Sequence, residues 1–216
     1  MAWVGRIDRE TRCVIPVASF GEGVEYLEGV AVFIDTTSPY SLGALGTAIR
    51  ERRLVVVDDY LTDMRTAAWR ERAVEAGWKG VAAVPLTCKG EVVGGLALLA
   101  GEVNAFDMEI RRLLSEMALD ISFALDMFAR EGERRSMEKQ LRLTAKVFEQ
   151  GGEGIMITDD KVNIVTVNRA FEVITGYTQD EVAGRNPRFL SSDRQGRDFY
   201  RAMWDAINAG GFWQGE

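Results

Sequence analysis

Apolar and polar residues alternate along Ala2–Ile7, and the alternation returns at Val14–Phe20 after the polar stretch Asp8-Arg9-Glu10-Thr11. A period of two interrupted by a turn predicts a β-hairpin. Gly29–Ile34 (GVAVFI), Leu54–Val57 (LVVV) and Val81–Leu86 read as further strands, and Lys89-Gly90 predicts a tight turn from which Val92–Leu99 returns. Between them Ser38–Leu45 reads as a loop, Thr47–Glu51 as a short helix, and Ala67–Ala76 as a helix that stops near Gly77. After Phe106 the period changes. Ile110, Leu114, Met117, Ile121, Ala124 and Phe128 recur in alternating steps of four and three, which predicts one face of a long helix capped by Asn104 or Asp107. Antiparallel hairpins with helices predict an α+β domain, the helices lying on one face of the sheet.

Met137, Leu141, Thr144 and Phe148 keep the three-four spacing through the charge-dense stretch Ala129–Lys146, so helix is expected there too, weakened at Gly132 by about 1 kcal/mol relative to Ala. This segment reads either as a solvated linker or as a short two-helix coiled coil joining protomers. From Gly151 the pattern resets. Gly154–Thr158 and Ile164–Val167 flank the polar turn Asp159–Asn163 and predict a second hairpin. Asn168 is an N-cap for Arg169–Thr175, Gly176 its stop, and Thr178-Gln179-Asp180-Glu181 a capping box. Phe199, Ala202, Met203 and Ala206 mark a last helix closed by Gly210-Gly211, and a strand is expected to begin within Gly211–Glu216 (GGFWQGE).

Composition narrows the chemistry. The 216 residues carry a net charge of -7, which argues against a nucleic-acid partner because phosphate binding needs a positive surplus. Histidine is absent, so His-ligated haem, an HExxH zinc site, a Ser-His-Asp triad and a phospho-accepting histidine are all excluded. Cys13 and Cys88 are the two thiols and form no CxxC pair, which suits a reducing, cytoplasmic setting. No apolar run reaches the roughly 18 residues of a membrane span, so no membrane contact is expected of this segment.

Two resemblances are carried by motifs. Ser38–Tyr60 (SPYSLGALGTAIRERRLVVVDDY), Trp69–Leu86 (WRERAVEAGWKGVAAVPL) and Lys89–Leu114 (KGEVVGGLALLAGEVNAFDMEIRRLL) resemble a GAF domain, over residues 1–128. Such a domain usually opens with a helix that this chain lacks before its first strand, which is expected to leave part of an apolar sheet face open. GEGIMITDD (152–160), VNRAFEVITGY (167–177), GRNPRFL (184–190) and FWQGE (212–216) resemble the N-terminal part of a PAS domain, over residues 147–216, with residues 129–146 as a helical linker. The fold implied is α+β: a GAF antiparallel sheet flanked by helices, a long connecting helix and an incomplete PAS domain.

The resemblance implies a sensory module of a bacterial signalling protein whose covalently linked output domain lies outside this chain. The style of the PAS motifs is similar to that seen before cyclic-di-GMP (GGDEF/EAL) cyclase and phosphodiesterase domains, with histidine kinases as the alternative output. It implies a homodimer, through Ile110, Leu114, Met117, Ile121 and Phe128 or their continuation to Leu141 and Phe148. It also implies an unknown small-molecule ligand, with Phe33, Tyr40, Trp69 and Trp78 as candidate wall residues in the first half and Phe171, Tyr177, Asn186, Phe189 and Trp204 in the second. The cofactor is unknown. A cysteinyl-flavin adduct is excluded, because Pro187 stands where the reactive thiol belongs. Cys13 and Cys88 are poorly placed for a bilin, and the compact spacing of Asn104, Phe106, Asp107 and Glu109 does not match a cyclic-nucleotide site. The alternatives are a ligand-free dimerisation scaffold and a GAF-type methionine sulfoxide reductase, the latter poorly served by two distant thiols.

Overall fold

The computed structural model describes residues 1–30, 32–35, 39–191, 195–211 and 213–214. The first half folds into one six-stranded antiparallel sheet, in the order β3-β2-β1-β6-β5-β4. Its strands are β1 (Ala2–Ile7), β2 (Cys13–Phe20), β3 (Val32–Phe33), β4 (Val55–Val57), β5 (Gly80–Cys88) and β6 (Glu91–Ala100). The strand expected over Gly29–Ile34 survives as the two residues of β3, and Ala31 lies outside the described residues. Helix α1 (Ala44–Glu51) starts three residues earlier than the pattern indicates, and the segment expected as one helix near Ala67–Ala76 is a 3-10 turn, Met64–Trp69, followed by α2 (Arg70–Glu75).

Helices cover both faces of the sheet, which corrects the expectation of one. Along β5, Val81 and Ala83 pack with Ala44, Leu45, Ala48 and Ile49 of α1, while Ala82, Val84 and Leu86 pack with α3 (Met108–Gln150). Strand β6 divides likewise, Ala97 and Leu99 toward α1 and Leu96 and Leu98 toward α3. Alternate side chains of a strand point to opposite faces, so VAAV and LALL are apolar at successive positions because neither face is wet. Gly95 is the close-approach point: a Cβ there would sit 2.5 Å from Leu45 Cδ1 and 2.8 Å from the Val84 carbonyl oxygen.

Helix α3 seats itself by Ile110, Leu114, Ala118, Ile121 and Leu125. This corrects the three-four stripe read from the sequence, because Met117 is 47% exposed and Phe128 74%. A straight helix has 3.6 residues per turn and drifts about 20° per heptad from a 3.5 repeat. A helix lying on a sheet follows the former, and small Ala118 in place of Met117 lets the backbone come close. Two polar bonds pin the same face: the Thr87 N–H donates to Ser122 Oγ at 2.9 Å and the Lys89 N–H to Asp126 Oδ1. On that side of the sheet β2 is open. Ile15 pairs with Arg6 and Phe20 with Ala2, the register that shares a face with Val4 of the α3 cluster, and both apolar side chains are exposed.

Contacts divide the chain into two units, Met1–Arg135 and Ser136–Glu216. The second contains the hairpin β7 (Met156–Thr158) and β8 (Ile164–Val167), then α4 (Arg169–Thr175), α5 (Gln179–Val182) and α6 (Arg197–Gly210). Its core is Ile164, Val167, Phe171 and Val182. The strand expected within Gly211–Glu216 falls partly on Phe212, Gly215 and Glu216, which lie outside the described residues; Trp213 and Gln214 are irregular.

Asn168 is fully buried and organises this unit. Its Oδ1 accepts from the Ile155 N–H (2.8 Å) and the Phe171 N–H (3.0 Å), and its Nδ2 donates to the carbonyls of Phe148 (2.9 Å) and Glu153 (2.8 Å). One side chain therefore caps α4, fixes the strand start and satisfies an orphan carbonyl in the last turn of α3.

Candidate functional site

The sheet face opposite α3 forms the floor of a small pocket. Its walls come from β1, β5 and β6 (Trp3, Val81, Ala97, Leu99), from the start of α1, from the 3-10 turn Val24–Leu27, and from the stretch after β4 (Tyr60, Thr66, Trp69). The free volume is about 40 Å³. That is room for a few waters at roughly 10–15 Å³ each, against the roughly 300–1,000 Å³ typical of a drug-sized ligand site. Among the described residues the lining is aromatic and aliphatic apart from Thr66, with no charged side chain in it.

Its polar feature is a pair of buried phenols. Tyr26 and Tyr60 meet hydroxyl to hydroxyl at 2.7 Å. Burial pushes both hydroxyls above the ordinary tyrosine range, so the pair is uncharged at any physiological pH. Tyr60 is held firmly, its N–H donating to the Lys79 carbonyl at 2.6 Å and its carbonyl accepting from Thr66 Oγ1 at 2.5 Å.

Of the first-half candidates, the geometry places Trp69 in the wall and the rest outside it. Tyr40 stacks edge-to-face on Trp69 at 5.8 Å. Trp78 packs over Gly23, with its indole N–H buried and unpartnered among the described residues. Phe33 is half-buried on β3, paired in register with Cys13. Sequence reasoning passed over Trp3, Tyr26, Tyr60 and Thr66. Trp3 holds an inward position of the Ala2–Ile7 alternation, which was a usable signal; the tyrosines lie in irregular segments and gave none.

The second-half candidates divide. Phe171 is core. Tyr177 and Phe189 stack edge-to-face at 5.0 Å, with the Arg185 guanidinium 4.3 Å above the Phe189 ring. Asn186 and Trp204 line a separate open groove with Arg188, Arg197 and Tyr200. Asn186 caps the turn Pro187–Leu190 by accepting from the Arg188 N–H at 3.1 Å, and Pro187 takes the first position of that turn, where its missing N–H costs nothing.

Both thiols stand away from the cavity wall. Cys13 Sγ points to the Thr11 carbonyl at 3.6 Å and Cys88 Sγ to the Leu125 carbonyl at 3.7 Å. They lie on β2 and β5, with β1 and β6 between. Three strand spacings of roughly 4.8 Å put those strands about 14 Å apart, far beyond disulfide reach. Among the described residues no group of three or more Cys, Asp or Glu is placed to hold a metal ion, and no helix is long and apolar enough to cross a membrane.

Residues 1–126 match the family model of the GAF domain. The chain belongs to the GAF family. Residues 152–216 match the PAS domain model, so a GAF domain is followed by a PAS domain. A 75-residue stretch is 37% identical to the bacterioopsin transcriptional activator of Halobacterium salinarum, covering 33% of this chain and 11% of that protein. A 70-residue stretch is 35% identical to the nitrogen fixation regulatory protein of Klebsiella oxytoca, covering 32% of this chain and 14% of that protein. The chain thus matches about a tenth to a seventh of these relatives' length. Among solved structures, a domain described as that of a two-component sensor histidine kinase of Sinorhizobium meliloti superposes with a TM-score of 0.50 at 19% identity, over 62% of this chain and 83% of that one, a likeness of fold. The GAF and PAS domains together make a sensory module, with stretches similar to parts of regulatory proteins.

Proposed function

We propose that this module senses a small molecule in the GAF cavity and passes the signal along α3 to an output domain in the parent protein. A cyclic-di-GMP cyclase or phosphodiesterase is the favoured output and a histidine kinase the alternative. The module itself is non-catalytic, cytoplasmic and homodimeric in this reading, with domain limits at 1–128, 129–146 and 147–216.

One observation carries it: the cavity floor and the seat of α3 are alternate residues of the same strands. Val81 and Leu99 line the cavity, while Ala82 and Leu98 support α3. A close-packed sheet cannot shift at one residue without moving the next. A ligand that binds two packings unequally therefore shifts their populations, typically by a coupling of about 1–3 kcal/mol. Exposed Met117, Phe123 and Phe128 supply the apolar surface for pairing two α3 helices. Native mass spectrometry of the purified chain tests both halves of the reading. A retained mass lost on denaturation and a dimeric count support it; an empty monomer at high micromolar concentration overturns it.

The small cavity volume favours a second reading, a ligand-free scaffold that dimerises and spaces the output domain. Methionine sulfoxide reduction is the weakest, since Cys13 and Cys88 occupy strands that do not adjoin.

A further inference from the structure

The phenol pair is incompletely used. Two hydroxyls bring two hydrogens, and the 2.7 Å bond between Tyr26 and Tyr60 consumes one. Among the described residues neither hydroxyl makes another bond, so a donor remains in a pocket whose other polar side chain, Thr66, already donates to backbone carbonyls. A core built for stability alone would carry phenylalanine at both positions, because a buried donor without an acceptor is costly.

The two tyrosines also differ in how they are held. Tyr60 is fixed by its backbone to Lys79 and Thr66, as above. Tyr26 belongs to the turn Val24–Leu27, whose backbone bonds are local: Tyr26 N–H to Gly23, Glu28 N–H to Glu25, Val30 N–H to Leu27. The turn is bracketed by Gly23 (φ 75°) and Gly29 (φ 68°), both in the left-handed region that glycine enters without strain. Beyond that bracket, side-chain bonds tie it down: the Tyr26 hydroxyl to Tyr60, and Arg72 to the Glu28 carbonyl.

We propose that the cavity takes an uncharged, largely apolar molecule with one hydrogen-bond acceptor, which receives the spare hydroxyl hydrogen of the Tyr26–Tyr60 pair, and that the Val24–Leu27 turn swings on Gly23 and Gly29 to admit it. The inference rests on the sensor reading above and gives it a ligand class. Charge is excluded by the lining, since an ion there would lose its hydration without a counter-charge. Movement is required by size: an apolar cavity of roughly 150 Å³ takes benzene, and the cavity offers about 40 Å³.

The test is calorimetric titration of the whole chain with acetophenone, which has a carbonyl acceptor, with ethylbenzene, which has the same shape and none, and with benzoate, which is charged. Acetophenone should bind about tenfold more tightly than ethylbenzene, the value of one net hydrogen bond, and benzoate should give no heat. The double variant Tyr26→Phe/Tyr60→Phe should bind both neutral compounds alike. It removes both partners together at constant shape and so leaves the fold intact; a single variant would leave the other hydroxyl free to donate. A preference that persists in the double variant, or benzoate binding as tightly as acetophenone, overturns the ligand class and leaves the sensor reading standing. No binding by any compound does the same if native mass spectrometry finds a charged ligand retained, and overturns both readings if it finds none. Hydrogen exchange at Val24–Leu27 that is unchanged by saturating acetophenone overturns the swinging turn.

Discussion

Replacing Leu114 by Ala tests which face of α3 is seated on the sheet. Leu114 is 3% exposed and packs in the cluster of Ala82, Val84, Leu86 and Leu96. Truncation removes three carbons, about 2.4 kcal/mol of transfer free energy at roughly 0.8 kcal/mol per buried group. A cavity term adds to this when the site cannot collapse. Here the helix is pinned beside the cavity by the Thr87–Ser122 and Lys89–Asp126 bonds, which limits collapse, so the expected cost is about 3–4 kcal/mol. Phe128→Ala removes more carbon from a residue 74% exposed, and should cost under about 0.5 kcal/mol in the monomer. The assay is urea unfolding followed by hydrogen exchange of β5 and β6 peptides, at low and at high micromolar protein. Leu114→Ala should lower stability equally at both concentrations. Phe128→Ala should matter only at the higher one, where a helix-paired dimer would form. Equal losses for the two variants at low concentration would refute the seating stripe Ile110-Leu114-Ala118-Ile121-Leu125.

Three further outcomes are expected. Asn168→Ala strands four backbone groups and removes the cap of α4, and should cost about 3 kcal/mol, seen as faster amide exchange over residues 148–171. Gly95→Val places side-chain atoms against Leu45 and the Val84 carbonyl and should destabilise the first unit by about 1–3 kcal/mol, whereas Gly90→Ala, with open space around it, should cost less, its positive φ of 78° being the main penalty; melting temperatures decide. Burial raises the folded-state pKa of Tyr26 and Tyr60 above their unfolded value of 10.0, so their contribution is fully present below pH 10 and is lost as pH rises beyond it and the unfolded chain ionises. Stability should fall there by up to about 1.4 kcal/mol per pH unit for each tyrosine, and the double phenylalanine variant should show a flatter decline.

How much of this was legible depended on which physics set each element. Hairpins written by alternation and turn residues, such as Ala2–Ile7 and Ile164–Val167, have the observed bounds, and so does Arg169–Thr175 with its Asn and Gly punctuation. The second helical layer was also written, in the unbroken apolar runs of β5 and β6, but periodicity alone cannot tell a strand buried on both faces from a buried helix. The stripe on α3 was misread because a 3.5 and a 3.6 repeat diverge only after two turns, and Ala118 is too small to register as a hydrophobic mark. The cavity was least legible. Trp69 was named, yet Tyr26 and Tyr60 are 34 positions apart in segments without regular pattern, and only the packed sheet brings their hydroxyls together.

The polar bonds along α3 bear on how firmly the helix is seated. An apolar stripe grips a sheet non-directionally and tolerates small rotations. Hydrogen bonds from Thr87 and Lys89 to Ser122 and Asp126 do not, because they weaken steeply with angle. They sit at the turn end of the β5–β6 hairpin, on the strands whose opposite face lines the cavity. Farther along, Gly132 should loosen the helix, but Glu131 bonds to Arg134 and Arg135, which hold its carboxyl down to about 2. At the far end Asn168 holds the Phe148 carbonyl within the second unit. Within the first unit the bonds to Ser122 and Asp126 and the ion pairs of Glu131 therefore fix α3 directionally as well as by burial, and within the second the last turn is fixed by Asn168.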